Sequence, residues 1–384
     1  MRFLHTSDWH LGRIFHGVHL TEDQSHVLEQ LVQVIKDSQV DAVVIAGDIY
    51  DRSVPPVEAV ALLNNTLDEL LLGCGTPVLM IAGNHDSPER LGFASRLLEK
   101  QGLYVAGSVA STLAPVVLED EWGPVYFAPL PYAEPVMVRE MLASPQADCH
   151  EAAVAAMVKH ILRQIPKEAR KIAVGHAFLA GGKESPSERP LSVGGSASVS
   201  PGLFAPFHYT ALGHLHNSQQ AGQAHVRYSG SLLKYSFDEA DHVKGVNLVE
   251  IDGMGSVRFE KVSLSPRRDV RCVKGLFRDV LKAGLHDHRK EDYLLVSLED
   301  EEPILDAMGQ LRQIYPNVLQ LERPYLSGKG QLQGVEGDHR KLGEAELFAS
   351  FFDQMTGGPM SEVQAAELAQ ALEEIHRHGR EVKV

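Results

Sequence analysis

The sequence predicts an α/β fold with a parallel sheet, and three observations predict it. First, five apolar, strand-like runs each end in residues that bind metals. Second, the early runs alternate with stretches of helical periodicity. Third, the composition changes after Pro266, where a smaller strand-and-helix unit begins. Strand, helix, strand, helix implies parallel strands joined by helical crossovers.

The five runs are Arg2-Phe3-Leu4, Ala42-Val43-Val44-Ile45, Val78-Leu79-Met80-Ile81, Ile172-Ala173-Val174 and Thr210-Ala211-Leu212. Short apolar runs of this kind read as buried strands. After the first, Thr21-Glu22-Asp23-Gln24 has the pattern of a capping box, in which two side chains satisfy orphan N–H groups at a helix start. Val27, Leu28, Leu31, Val34 and Ile35 then recur at helical spacing. Pro55-Pro56 opens a second helix, where the missing N–H costs nothing, with Leu62, Leu63, Leu67, Leu70 and Leu71 as its apolar stripe. Gly181 to Gly202 is rich in Gly, Ser and Pro. It reads as a long loop that either reaches over a site or forms a surface insertion.

Beyond Pro266, Val270 to Lys274, Tyr293 to Leu298 and Asn317 to Leu321 look like strands. Phe277 to Leu281 and Ile304 to Ile314 look like the helices between them. After Gly337 come two amphipathic helices, roughly Glu344 to Met355 and Ser361 to His376, split by Gly357-Gly358-Pro359. Leu347, Phe348, Phe351 and Phe352 form an apolar stripe on the first. Such a stripe is a poor free surface, so the hairpin either packs on its own domain or docks a partner. The expected divisions are residues 1–265, 266–336 and 337–384.

The chain has 384 residues, enough for two or three domains, and a hydrophobic content of 44% suits a soluble protein with a real core. Cys74, Cys149 and Cys272 are far apart and form no CxxC pair, so a disulfide framework or zinc knuckle is not expected. No basic and then apolar leader opens the chain, and no stretch nears the roughly 18 apolar residues that suggest a membrane span. These features fit a cytoplasmic protein. The net charge of −15 argues against a dedicated basic face for nucleic acid. A nucleic-acid substrate remains compatible, because two bound divalent cations add positive charge where phosphates would meet the protein.

The strand-end residues carry the chemistry. They are Asp8-Trp9-His10, Gly47-Asp48-Ile49-Tyr50-Asp51, Gly83-Asn84-His85-Asp86, Gly175-His176 and Gly213-His214-Leu215-His216. A lone Asp at a strand end is usually a turn former, and a lone His is usually a satisfied core or surface residue. The set weighs more than its members. Open α/β sheets bind ligands at the carboxyl ends of their strands. Asp8 and His10, two apart on an extended chain, would point to one side, and His214 and His216 repeat that spacing. Carboxylates, imidazoles and one amide oxygen suit two divalent cations such as Mn²⁺. The expected class is a two-metal hydrolase acting on a phosphate ester.

In that order, D-x-H, G-D-x-x-D, G-N-H-D, G-H and G-H-x-H resemble the motifs of the calcineurin-like metallophosphoesterase superfamily. The opening Met1 to Gly12, Tyr228-Ser229-Gly230-Ser231 and Ser236-Phe237-Asp238-Glu239 resemble its bacterial nuclease subunits, which pair with an SMC-like ATPase. The likeness covers about Met1 to Leu264; the remainder matches in layout only.

The resemblance implies a two-sheet layered sandwich, a small capping domain, and a C-terminal helical hairpin for the ATPase. It implies one metal held by Asp8, His10, Asp48 and His216, and a second by Asp48, Asn84, His176 and His214, with Asp48 bridging. His85 is implied as general acid, with Asp86 orienting it or serving as a turn carboxylate. Asp51 either positions a ligand or caps the next helix. Arg13, Arg52 and Arg90 are candidates for DNA phosphates, and Phe348, Phe351 and Phe352 for the partner. The implied activity is Mn²⁺-dependent cleavage of DNA ends and hairpins by a homodimer. The alternatives are a phosphatase or nucleotide phosphodiesterase, and a non-catalytic scaffold.

Overall fold

The β-branched runs fold as strands because their side chains fill both faces of buried sheets. The structure is a computed structural model that describes residues 1–110, 112–188, 198–324, 344–356 and 358–381. In chain order its strands are β1 (Arg2–Thr6), β2 (Ile14–Phe15), β3 (Val18–His19), β4 (Ala42–Ile45), β5 (Val78–Ile81), β6 (Leu103–Ala106), β7 (Val116–Asp120), β8 (Gly123–Leu130) and β9 (Arg170–His176). There follow β10 (Tyr209–Gly213), β11 (Gln219–Ala221), β12 (Gln223–Tyr228), β13 (Gly245–Ile251), β14 (Val257–Ser263), β15 (Val270–Gly275), β16 (Tyr293–Leu298) and β17 (Val318–Glu322). They separate into two compact units, Met1–Val270 and Arg271–Val384.

The first unit is a sandwich of two six-stranded sheets, ordered β14-β13-β1-β4-β5-β6 and β11-β12-β10-β9-β8-β7. β1, β4 and β5 are parallel neighbours in one sheet. β9 and β10 are parallel neighbours in the other. All five motif-bearing strands are therefore interior strands. Between the sheets lie Phe3, Val44, Leu79 and Ile81 from one face and Phe127, Ile172, Val174 and Tyr209 from the other. The Phe3 ring meets Phe127 and Tyr209 edge-on, with centroids 5.5 and 5.8 Å apart, the geometry that a ring quadrupole favours. Helix His150–Leu162 covers the outer face of the second sheet through Val154, Met157, Val158 and Ile161.

Two helix starts differ from the sequence reading. The first helix, Thr21–Ser38, has Leu20 at its N-cap, and no side chain caps it. Gln24 does not reach back to the helix start, because its amide is committed to Gly12 N–H and the His10 carbonyl. The helix is held instead by Val27, Leu28, Leu31, Val32 and Ile35, all buried. The second helix, Val57–Asp68, begins after Pro56, which sits at the N-cap rather than in the first turn.

In the second unit, β15-β16-β17 form a three-stranded sheet with helices Phe277–Gly284 and Ala307–Arg312. Val280, Leu294, Val296, Leu298, Leu311, Tyr315 and Val318 form its core. Helices Glu344–Thr356 and Glu362–Glu381 follow. Ser361 and Gln364 exchange hydrogen bonds at the start of the last helix, a reciprocal cap. The boundary expected at 336/337 lies outside the described residues, as do 189–197 of the expected 181–202 loop.

Candidate metal centre

Beyond the strand ends, the loops after β1 and β4 keep running side by side. Asp8 N–H donates to the Gly47 carbonyl at 3.0 Å, and His10 N–H donates to the Asp48 carbonyl at 3.0 Å. The chain here is not extended. Asp8, His10, Asp48 and His214 have φ of 54°, 46°, 51° and 108°. Non-glycine residues rarely enter that region, and each such residue costs on the order of 1–3 kcal/mol unless its surroundings enforce it. Asp8 and His10 are therefore brought together by left-handed turns, which corrects the alternation argument drawn from spacing alone.

Two glycines show how tightly the loops meet. At Gly47, φ is +88°, and a Cβ would strike the His176 ring. At Gly213, a Cβ would overlap the Ala46 carbonyl and stand 2.9 Å from His176 Nδ1. Gly213→Ala is expected to lower stability by about 1–3 kcal/mol through overpacking and to weaken metal binding by displacing His176. Thermal melting and Mn²⁺ titration of the purified variant check it.

The side chains converge on two adjoining positions. His10 Nε2 lies 3.0 Å from His216 Nε2 and 3.7 Å from Asp48 Oδ2. His176 Nε2 lies 2.9 Å from Asn84 Oδ1 and 3.5 Å from the same Asp48 Oδ2. Asp8, His10 and His216 bring ligand atoms within 4.8 Å of one another, as do Asp8, Asp48 and His176. Asp8 is common to both sets, and Asp48 Oδ2 lies beside the Nε2 of His10 and of His176; a third set, His10, Asp51 and His85, adjoins them.

The ring protons are placed elsewhere. His176 Nδ1–H donates to the Ala46 carbonyl at 2.9 Å. His216 Nδ1 faces Ser187 Oγ at 2.7 Å and Glu239 Oε1 at 3.3 Å. In neutral rings this leaves the Nε2 lone pairs aimed inward. His214 Nε2 is buried and has no hydrogen-bond partner among the described residues. Burial holds His10, His176, His214 and His216 below the usual histidine range. Burial and the Asp48 charge push Asp8 well above the usual carboxylate range. Inward lone pairs, crowded carboxylates and an orphaned buried nitrogen fit divalent cations, since buried charge needs a counter-charge.

His85 stands beside this set. Its Nδ1–H donates to the Asp51 carbonyl at 2.8 Å, its backbone N–H donates to Asp48 Oδ1 at 2.9 Å, and its Nε2 is 3.9 Å from Asp48 Oδ2. The group that orients His85 is therefore the Asp51 backbone, not Asp86. The Asp86 carboxylate accepts N–H bonds from Ile49, Tyr50 and Gly83 at 3.1, 2.9 and 2.9 Å. It ties the loop after β4 to the loop after β5. Burial, then the Asp48 charge, pushes Asp86 up to about 7. The Asp51 side chain pairs with Arg13 at 2.8 Å and lies 3.7 Å from His10 Nδ1.

Several supporting residues escaped the sequence reading. His5 Nε2–H donates to the Leu212 carbonyl at 3.1 Å, while its Nδ1 meets Tyr209 Oη at 3.0 Å. These bonds tie the two sheets beneath the site. Ser7 Oγ bridges Asp8 Oδ2 and Ser229 Oγ at 2.5 and 2.8 Å. Tyr235 Oη donates to the Trp9 carbonyl at 2.5 Å, so it and Gln24 brace the Asp8–His10 turn. A lone Ser, Gln or Tyr in sequence carries no such signal.

The remaining candidates are less engaged. The Arg13 guanidinium stands 5.5 Å from the centroid of the Tyr235 ring and is spent on Asp51. Arg52 and Arg90 are exposed. Phe348 is 45% exposed and Phe352 half-buried, while the side chain of Phe351 lies outside the described ones.

A sandwich of this kind, with a two-position His/Asp/Asn centre at its parallel strand ends, defines a metallophosphoesterase. The calcineurin-like phosphoesterase family matches residues 1–141, and the type 5 capsule protein repressor C-terminal domain matches residues 266–356. Over 372 residues, 97% of this chain and 98% of the relative, the sequence is 33% identical to the SbcD subunit of the SbcCD nuclease of Staphylococcus epidermidis. The chain belongs to the SbcD family of nuclease subunits. Among solved structures, TT1561 of Thermus thermophilus gives a TM-score of 0.39 at 16% identity, covering 68% of this chain and 98% of that one. A dimetal phosphatase from Danio rerio gives 0.38 at 12% identity, covering 69% and 99%.

Proposed function

We propose that this chain is a Mn²⁺-dependent DNA nuclease subunit that works with an SMC-like ATPase on DNA ends and hairpins. The observation that carries the reading is the convergence of inward-facing ligand atoms on both sides of Asp48. Asp8, His10, Asp48 and His216 would hold one metal, and Asp48, Asn84, His176 and His214 the other. Such a pair supplies Lewis-acid activation of a phosphodiester and a water that ionises readily. The protein's own part is to exclude competing protons from the inward nitrogens, to fix Asp48 through the His85 N–H, and to present His85 as the proton donor to the leaving oxygen. Asp51 holds the His85 tautomer through its carbonyl.

Three divisions fit this work: a nuclease domain over 1–265, a capping domain over 266–336 and a hairpin over 337–384. Family membership supports the nuclease reading over a small-substrate phosphatase or a scaffold. The family resemblance also suggests a homodimer. Among the described residues no helix is long and apolar enough to cross a membrane, and a cytoplasmic, nucleoid-associated setting suits the substrate. A nuclease assay on duplex and hairpin DNA with Mn²⁺, with and without the ATPase, tests the function. Cleavage of neither substrate would overturn it.

The hairpin reading makes its own prediction. Phe348, Phe351 and Phe352 would anchor on the ATPase coiled coil, where large aromatic anchors can each contribute about 2 kcal/mol or more. A chain truncated after Gly337 is expected to stay folded and keep Mn²⁺-dependent cleavage, yet no longer co-purify with the ATPase. An intact complex, or an unfolded catalytic domain, would remove the tether.

A further inference from the structure

One cluster beside the centre is not explained by ligation alone. Glu239 is fully buried at the 3-10 turn Phe237–Glu239, far in sequence from every metal motif except the last. Its Oε2 pairs with Lys244 Nζ at 2.5 Å, and Lys244 is itself buried, reaching the His216 carbonyl at 2.7 Å and Ser231 Oγ at 2.9 Å. Its Oε1 accepts the Ser187 hydroxyl and lies 3.3 Å from His216 Nδ1. Ser187 Oγ is also 2.7 Å from His216 Nδ1. Next to it, Glu188 Oε1 accepts the His216 backbone N–H at 2.6 Å, and Glu188 Oε2 accepts Ser185 N–H at 2.8 Å.

The donor count settles the direction of this chain. Ser187 has one hydroxyl proton, and the Glu239 carboxylate can only accept it. Ser187 Oγ must then accept from His216 Nδ1–H. The ring proton is thereby fixed on Nδ1, and Nε2 is left with a lone pair facing His10 Nε2, 3.0 Å away. The ring, the backbone N–H and the carbonyl of His216 are thus all gripped by residues outside the metal motifs.

We propose that Ser187, Glu188, Glu239 and Lys244 form a positioning clamp on His216, so that docking of the 185–188 segment completes one of the two metal positions. The proposal rests on the metal reading above. Ser187 and Glu239 set the tautomer, Glu188 sets the backbone, and Lys244 keeps the Glu239 carboxylate in place. Outer partners of metal-bound histidines typically contribute about 10–100-fold in metal affinity.

Ser187→Ala is the direct test, because it removes one hydroxyl from a segment at the site rim and leaves the buried ion pair intact. Metal-free wild type and variant are titrated with Mn²⁺ calorimetrically, and the His216 tautomer is read by ¹⁵N NMR of the metal-free proteins. The expected result is about 10-fold or greater weakening of one Mn²⁺ site, the other unchanged, with a shifted Nδ1–H signal as that proton passes from Ser187 Oγ to Glu239 Oε1, and no change in melting temperature. The double variant Glu239→Gln/Lys244→Met, which removes the clamp without stranding a buried charge, is expected to weaken the same site. Wild-type affinity and an unchanged Nδ1–H signal in both variants would overturn the clamp. Failure of the wild type to bind Mn²⁺ would overturn the metal reading itself.

Discussion

Asp48→Ala is expected to lose both metals and to reduce DNA cleavage by more than about 10⁴-fold, beyond the 10²–10⁴-fold span of a lost general acid. Asp48 Oδ2 is 3.7 Å from His10 Nε2 and 3.5 Å from His176 Nε2, so one oxygen faces both ligand groups. Its Oδ1 also receives the His85 N–H at 2.9 Å. Removing the carboxylate therefore strips the shared ligand and releases the loop that carries Asn84 and His85. His216→Ala removes a ligand from one group and is expected to be milder; Asp8→Ala, whose carboxylate lies near both groups but is assigned to one metal, is also expected to fall short of Asp48→Ala. Metal analysis of the purified variants, beside a cleavage assay, checks the ranking. Two ions retained by Asp48→Ala would remove its bridging role.

His85→Ala is expected to keep both metals and lose about 10²–10⁴-fold in the rate of hydrolysis. The ring is held by its Nδ1–H on the Asp51 carbonyl, which turns Nε2 toward the centre; it converges with His10 and Asp51 but lies outside the two sets that contain Asp8. The backbone N–H that braces Asp48 survives the substitution. Metal content and single-turnover cleavage separate the two roles. Near-wild-type cleavage at full metal occupancy would take His85 out of the proton transfer.

The candidate ligand positions were legible because each motif follows a short apolar run that reads as a buried strand. Asp8, Asp48, Asn84, His176 and His214 all sit at such ends. The two-sheet arrangement was legible only through family resemblance. The partner strands β7, β8 and β11 to β14 mix polar and apolar residues without clear alternation; β14, for example, is mostly exposed. The turn geometry was not legible either, since nothing in Asp8-Trp9-His10 announces positive φ at both ends. The supporting shell was the least visible part. Gln24 reads as a helix-start residue until its amide is seen on the His10 carbonyl, and Asp86 reads as a partner for its neighbour His85 until its carboxylate is seen on three backbone N–H groups. Such roles depend on contacts between segments distant in the chain, which local pattern does not encode.

The central claim is that two cations share Asp48 at the ends of β1, β4, β5, β9 and β10. Anomalous diffraction at the manganese edge from crystals grown with Mn²⁺ tests it most directly. Two peaks flanking the Asp48 carboxylate are predicted, one against Asp8, His10 and His216, the other against Asn84, His176 and His214. A single peak, or two peaks that do not share Asp48, would contradict the account.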